Sequence, residues 1–195
     1  MITKITKSQG SILLKLARKA IEEALKHRTV KVPAGLRKQK ALSQQPGVFV
    51  ALLKNGELKG SMGYPQGTYS LIDGVIMAAR DAAFKDPRFK AVKKDELPHL
   101  RIRIDVLSKF QPTKISGIKP RKHGIFIEYG PFKALQLPED AKKFKWTIKG
   151  MIENALRKAG LTPEMWSDKH LKIYRFSTKA FEEKQKKKMH AADGT

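Results

Sequence analysis

The sequence predicts an α+β fold, a mainly antiparallel sheet flanked by helices. Three observations carry this reading. Helical and strand-like periodicities interleave along the chain. Asn55-Gly56 sits between two strand-like segments, where both positions suit the positive φ of a tight antiparallel hairpin. Residues 100–107 alternate cleanly, with Leu100, Ile102, Ile104 and Val106 on one face and Arg101, Arg103 and Asp105 on the other.

The elements follow in order. Ile12, Leu13, Leu16, Ala17, Ala20, Ile21, Ala24 and Leu25 form one apolar stripe, so a helix is expected from about Ser8 to Lys26, capped by Ser8 or Ser11. The basic, Pro/Gly-broken stretch from His27 to Lys40 reads as an exposed loop. Val48–Leu53 and Glu57–Met62 are the hairpin strands. Ser70 caps a second helix, whose inner face holds Leu71, Ile72, Val75, Ile76, Ala79 and Ala83, and Asp86-Pro87 stops it. After the half-buried strand at 100–107 come strands at Ile125–Tyr129 and Phe132–Leu137. Thr147 caps a third helix that ends at Gly160. Leu171–Phe176 is a final strand, and Ser177 begins a short helix.

Composition bounds the function. The 195 residues are enough for one domain or two intimately packed lobes. With no cysteine, disulfides, thiolate zinc sites and a Cys nucleophile are excluded, and the composition fits a thermophile. Lys and Arg number 41 against 18 Asp and Glu, a net charge of +23. Such an excess attracts polyanions. The ordinary alternative is a Lys-rich proteome. No segment approaches the roughly 20 apolar residues of a membrane span, and Met1-Ile2-Thr3-Lys4 has no secretory apolar core. A cytoplasmic location without membrane contact is expected.

Leu58, Lys59, Gly60, Ser61, Met62 and Gly63 form a small-residue motif between the hairpin and the second helix. This segment resembles the Leu-Arg-Gly-Cys-Ile-Gly signature of the AMMECR family. The order of surrounding elements agrees: Gly47-Val48-Phe49-Val50, Asp86-Pro87-Arg88-Phe89, Glu96-Leu97-Pro98, His123-Gly124-Ile125, Leu137-Pro138, Lys158-Ala159-Gly160-Leu161, Trp166 and Lys172-Ile173-Tyr174-Arg175-Phe176. The resemblance covers about Ser8 to Glu183. It implies an α+β fold of two lobes with the signature in the groove between them, and it implies no particular reaction. Some relatives are fused to or encoded with Memo-like and radical-SAM proteins. Lys59, Ser61 and Met62 depart from the signature's Arg, Cys and Ile, and Glu139-Asp140 stands where relatives often have Gln-Val. Residues 1–183 are thus expected to be a single domain of two packed lobes, and 184–195 a basic, disordered tail.

Each candidate site has an ordinary alternative. Gly60 and Gly63 could expose backbone N–H groups to an anion beside Lys59, or simply permit a sharp turn or close packing. Ser61 with His123 and Asp86 or Asp105 could make a hydrolytic triad, though no G-x-S-x-G elbow is present. Arg88 could bind an anion as a planar fork, or pair with Asp86. The five histidines lack metal-ligand spacing, so neither metal nor cofactor is expected.

Arg37, Lys38, Lys40, Arg121, Lys122, Lys186, Lys187 and Lys188 lie in loops or the tail, where they suit sequence-independent phosphate contact. The leading expectation is a basic RNA- or ribosome-associated binding protein. The alternatives are an enzyme or small-anion-binding protein using the groove around Gly60–Gly63, and an interaction module that docks on a partner enzyme.

Overall fold

The computed structural model describes residues 4–184. Two four-stranded antiparallel sheets organise the chain. The first contains β1 (Val48–Lys54), β2 (Glu57–Tyr64), β3 (Leu100–Leu107) and β8 (Thr178–Glu182), in the order β2-β1-β3-β8. The second contains β4 (Gln111–Pro112), β5 (Gly124–Tyr129), β6 (Phe132–Gln136) and β7 (Lys172–Phe176), in the order β4-β7-β5-β6.

The hairpin forms at Asn55 and Gly56, both with positive φ (52° and 87°). β1 forms as the expected apolar strand, and it alternates: Val48, Val50 and Leu52 are buried toward the helices, and Phe49 and Ala51 point the other way. Helices α1 (Lys7–Ala24) and α4 (Leu71–Phe84) cover the first face. Ser70 caps α4 by accepting from the Asp73 N–H. The cap of α1 is Thr6, in a capping box with Gln9, rather than Ser8 or Ser11. A Gln three residues after a Thr supplies both halves of the box, which neither serine can match.

The stretch expected as loop contains two short helices, α2 (Ala34–Arg37) and α3 (Lys40–Ser43). Leu36 and Leu42 anchor them on the core. The second sheet packs α6 (Ile148–Lys158), capped by Thr147 as predicted, against Ile125 and Ile127 of β5. A short helix α5 (Pro138–Lys143), not foreseen, leads from β6 toward α6.

The largest difference lies near the C-terminus. Ser177 does not begin a helix. It crosses between sheets, and residues 178–182 form β8, paired with β3 of the first sheet. Two long-range contacts select the strand. The Phe181 ring packs so closely over α1 that a Cβ at Gly10 would lie 1.9 Å from it. Glu183 ties the strand end down by accepting from the Ile102 N–H at 2.9 Å and from Arg18 Nε at 2.8 Å. Neither partner is local, so the short periodicity could not reveal them.

A third cluster joins the sheets. Phe49 and Leu107 from the first meet Phe126, Tyr174 and Phe176 from the second. Phe110 stacks on Phe126 with centroids 4.8 Å apart. β3 is therefore covered beside its polar face as well, and Asp105 is only 3% exposed.

Candidate functional site

The signature segment is not a turn. Leu58 to Gly63 lie within β2, an edge strand of its sheet. Gly60 faces α4, where a Cβ would come within 2.0 Å of the Ala82 carbonyl oxygen. A Cβ at Gly63 would meet the Val48 carbonyl at 2.3 Å and the Phe49 ring at 2.5 Å. Both glycines thus permit close approach of neighbouring backbone and ring. Lys59 turns to Glu96, 3.5 Å away, which Lys54 also contacts at 2.8 Å. Their charges, after the Lys54 hydrogen bond, help hold the Glu96 carboxyl down at about 2. Met62 packs on the main core.

Ser61 points its backbone N–H and C=O out of the sheet edge. The N–H donates to Asp86 Oδ2 at 2.8 Å, and the C=O accepts from Arg88 Nη2 at 3.3 Å. Asp86 and Arg88 in turn form a two-pronged pair, Nε to Oδ1 at 2.9 Å and Nη2 to Oδ2 at 2.7 Å. Arg88, aided by the Ser61 N–H, lowers the Asp86 carboxyl to about 2 despite its burial. The Asp86-Pro87-Arg88 segment therefore closes the β2 edge as a partner strand would. These bonds use only the backbone at position 61, so the Ser that replaces the signature Cys leaves them intact.

The same face of the first sheet carries a compensated charge cluster. Ala51 pairs across the sheet with both Ser61 and Arg103, placing the three in one row. Arg103 grips Asp105 with two bonds of 2.9 Å and reaches Glu139 of α5 at 3.2 Å. Burial opposes its charge, but these carboxylates prevail and its pKa is raised. Next to Glu139, Asp140 accepts a short hydrogen bond from Gln136 Nε2 and lies 3.9 Å from Lys158. Burial pushes Asp140 up and Lys158 down, so each moves toward its neutral form. Gln136 is fully buried, and its Oε1 has no partner. Glu139 and Asp140, the two departures from the expected Gln-Val, therefore both belong to this charge cluster between the sheets.

His123 belongs to a different site. Its Nδ1 accepts from the Lys119 N–H at 3.1 Å, leaving Nε2 to carry the proton of the neutral ring. Together with Lys119, Lys122 and Arg175 it lines a cavity of about 350 Å³ where the chain crosses from β7 to β8. Ser108, Gln111 and Ser177 supply polar groups, and among the described residues no acid lines the cavity. Arg175 is aimed by a 2.7 Å bond from Nη1 to the Gly117 carbonyl. Burial, then the charges of Arg175, Lys122 and Lys119, lower the His123 pKa. Ser61, His123 and the two aspartates form no hydrogen-bonded triad: His123 is bonded to Lys119, and Asp86 and Asp105 are each held by an arginine.

The other basic candidates are scattered. Arg37 is taken by Asp73 through two bonds of 2.9 Å. Lys38, Lys40, Arg121 and Lys122 are exposed, and Arg121 adopts a positive φ of 67°. Lys186, Lys187 and Lys188 lie outside the described residues. Among the described residues no group of three His, Asp or Glu is placed to hold a metal, and no helix is long and apolar enough to cross a membrane. Sequence reasoning missed Arg175 as a cavity residue, and missed Arg103, Gln136 and Lys158 entirely as members of the charge cluster between the sheets. Only their alternation out of step with the apolar faces hinted at Arg103 and Arg175.

Comparison with known proteins agrees with the geometry. The AMMECR1 family model matches residues 14–181. A protein of Methanothermobacter thermautotrophicus is 35% identical over 187 residues, spanning 92% of this chain and 96% of its own. One from Thermococcus onnurineus is 36% identical over 192 residues, covering 91% and 92%. The crystal structure of the uncharacterized protein PH0010 from Pyrococcus horikoshii superimposes with a TM-score of 0.86 at 32% identity, over 93% of this chain and 94% of that one. With the family model, the sequence relatives and the fold in agreement, this chain belongs to the AMMECR1 family.

Proposed function

We propose that the protein binds the phosphate backbone of RNA, with the cavity beside His123 as a principal contact. One observation supports this above the rest: Lys119, Lys122, Arg175 and His123 converge on a polar cavity that, among the described residues, no carboxylate lines. Phosphate oxygens are the ligands such a set favours, because charged donors from Lys and Arg bind them strongly. The overall excess of 41 basic over 18 acidic residues adds long-range attraction.

The test is binding to total RNA across a salt series. Affinity is expected to fall with salt with a log–log slope of roughly −0.7 for each phosphate neutralised on single strands. Lys122→Ala should weaken binding and reduce that slope by about 0.7. A bound phosphate also favours protonated His123, so binding should tighten as the pH falls through the His range and this dependence should vanish in His123→Ala. Salt-independent binding, or none, overturns the reading.

A second reading has its own observation. The Gln136 Oε1, unpartnered among the described residues, and the raised Asp140 make the charge cluster between the sheets a candidate small-ligand site. A metabolite that protects Asp140 variants less than the natural chain against thermal unfolding would support it.

A further inference from the structure

We infer that Phe144 is a stacking platform for an unpaired base of single-stranded RNA. This inference rests on the RNA reading above and adds a second contact, one that takes bases rather than phosphates. Phe144 is the most exposed large hydrophobic side chain among the described residues, at 55%. It follows α5, and the positive φ of Lys145 (52°) turns the chain sharply before Trp146. The turn is held by the Trp146 N–H, which donates to the Ala141 carbonyl at 3.0 Å. The Phe144 and Trp146 rings consequently stack, with centroids 5.1 Å apart and planes 22° from parallel. Trp146 also packs on the core of the second sheet, so the outer ring stands on a fixed base.

The surroundings fit a nucleotide. Residues 142–149 carry Lys142, Lys143, Lys145 and Lys149 and no acid. Lys142 and Lys149 make only long contacts with Glu139 (3.8 Å) and Glu153 (3.7 Å), and Lys143 and Lys145 form no ion pair among the described residues. Lys143 Nζ lies 5.4 Å from the Phe144 centroid. Its flexible stem can swing that ammonium to the phosphate of a base arriving on the ring. An aromatic face ringed by lysines is the chemistry that holds single strands without sequence preference. A protein partner would bury a wider apolar patch than one ring, and a duplex keeps its bases stacked on each other, out of reach of the ring.

The experiment compares two probes by fluorescence anisotropy: a short unstructured oligouridine, and inorganic polyphosphate of similar charge. Phe144→Ala should weaken oligouridine binding about tenfold or more and leave polyphosphate binding unchanged. Phe144→Tyr, which keeps the ring, should restore oligouridine binding. Equal losses with both probes, or no loss with oligouridine, overturns the platform while leaving the phosphate cavity in place. Natural protein that binds polyphosphate but not oligouridine, or binds neither, overturns the platform and the RNA reading together.

Discussion

On the polar face of the first sheet and at its β2 edge, each guanidinium meets a carboxylate: Arg88 pairs with Asp86, and Arg103 with Asp105 and Glu139. In the cavity at the β7–β8 crossover, Lys119, Lys122 and Arg175 meet none among the described residues, and Arg175 leans on a backbone carbonyl instead. Both regions lie where the two sheets come together, and both are polar. Their difference separates charges that hold the fold from charges left for something else. A buried charge must be neutralised by the protein itself. A charge that faces an open cavity keeps its water until an anion replaces it, so its cost to folding is small.

The comparison breaks first at Asp105. Asp105→Ala strips Arg103 of its two-pronged partner on a face that the second sheet covers. The expected loss is about 3–4 kcal/mol in urea unfolding, because the buried guanidinium keeps only its longer contacts with Glu139 and Glu182. A loss below about 1 kcal/mol would mean that these contacts suffice or that water reaches the guanidinium.

Gly60→Ala tests whether the signature glycine belongs to the packing between β2 and α4. The added methyl would sit 2.0 Å from the Ala82 carbonyl, and α4 must shift to admit it. We expect a cost of about 3 kcal/mol. An unchanged midpoint would show that the strand can move off the helix without penalty.

Acid sharpens the contrast further. The Asp86 carboxyl is lowered to about 2 by Arg88 and the Ser61 N–H, below an unfolded value of roughly 3.9. Its contribution is therefore fully present above about pH 4 and is lost as the pH falls through about 2. The solvent-exposed partner reduces its size to about 1–2 kcal/mol. Asp86→Asn should flatten this part of the stability–pH curve. If the curve is unchanged, the Asp86–Arg88 pair contributes nothing measurable.

The smallest effects are expected at Lys122 and Ser61. Lys122→Ala should alter stability by no more than about 0.5 kcal/mol, while weakening RNA binding. Ser61→Cys should be equally silent in unfolding, since Asp86 and Arg88 engage only the backbone there. A large destabilisation by Ser61→Cys would show that the side chain has a packing role after all.

Much of the fold was legible because its signals are local. The Asn55-Gly56 turn, the Ser70 and Thr147 caps, the alternation of β3 and the apolar stripes of α1, α4 and α6 each lie within a few residues of what they specify. The Asp86–Arg88 pairing was one of two readings open to that segment, and its neighbours in sequence suffice to form it. The cavity was half legible: Lys119, Lys122 and His123 occur in one basic run, but Arg175 joins them from more than fifty positions away.

The sequence by itself determined the long helices and the hairpin and central strands, the basic excess and the family. Local sterics, capping and hydrophobic periodicity act over one or two turns, and net charge needs no structure at all. The tertiary structure decided that residues 178–182 return to the first sheet as β8, that the signature glycines admit the close approach of a helix carbonyl and a ring, and that Glu139 and Asp140 face Arg103 and Lys158. Each of these depends on a partner distant in the chain. Such contacts form only when the sheets pack, and a residue's own neighbours carry no record of them.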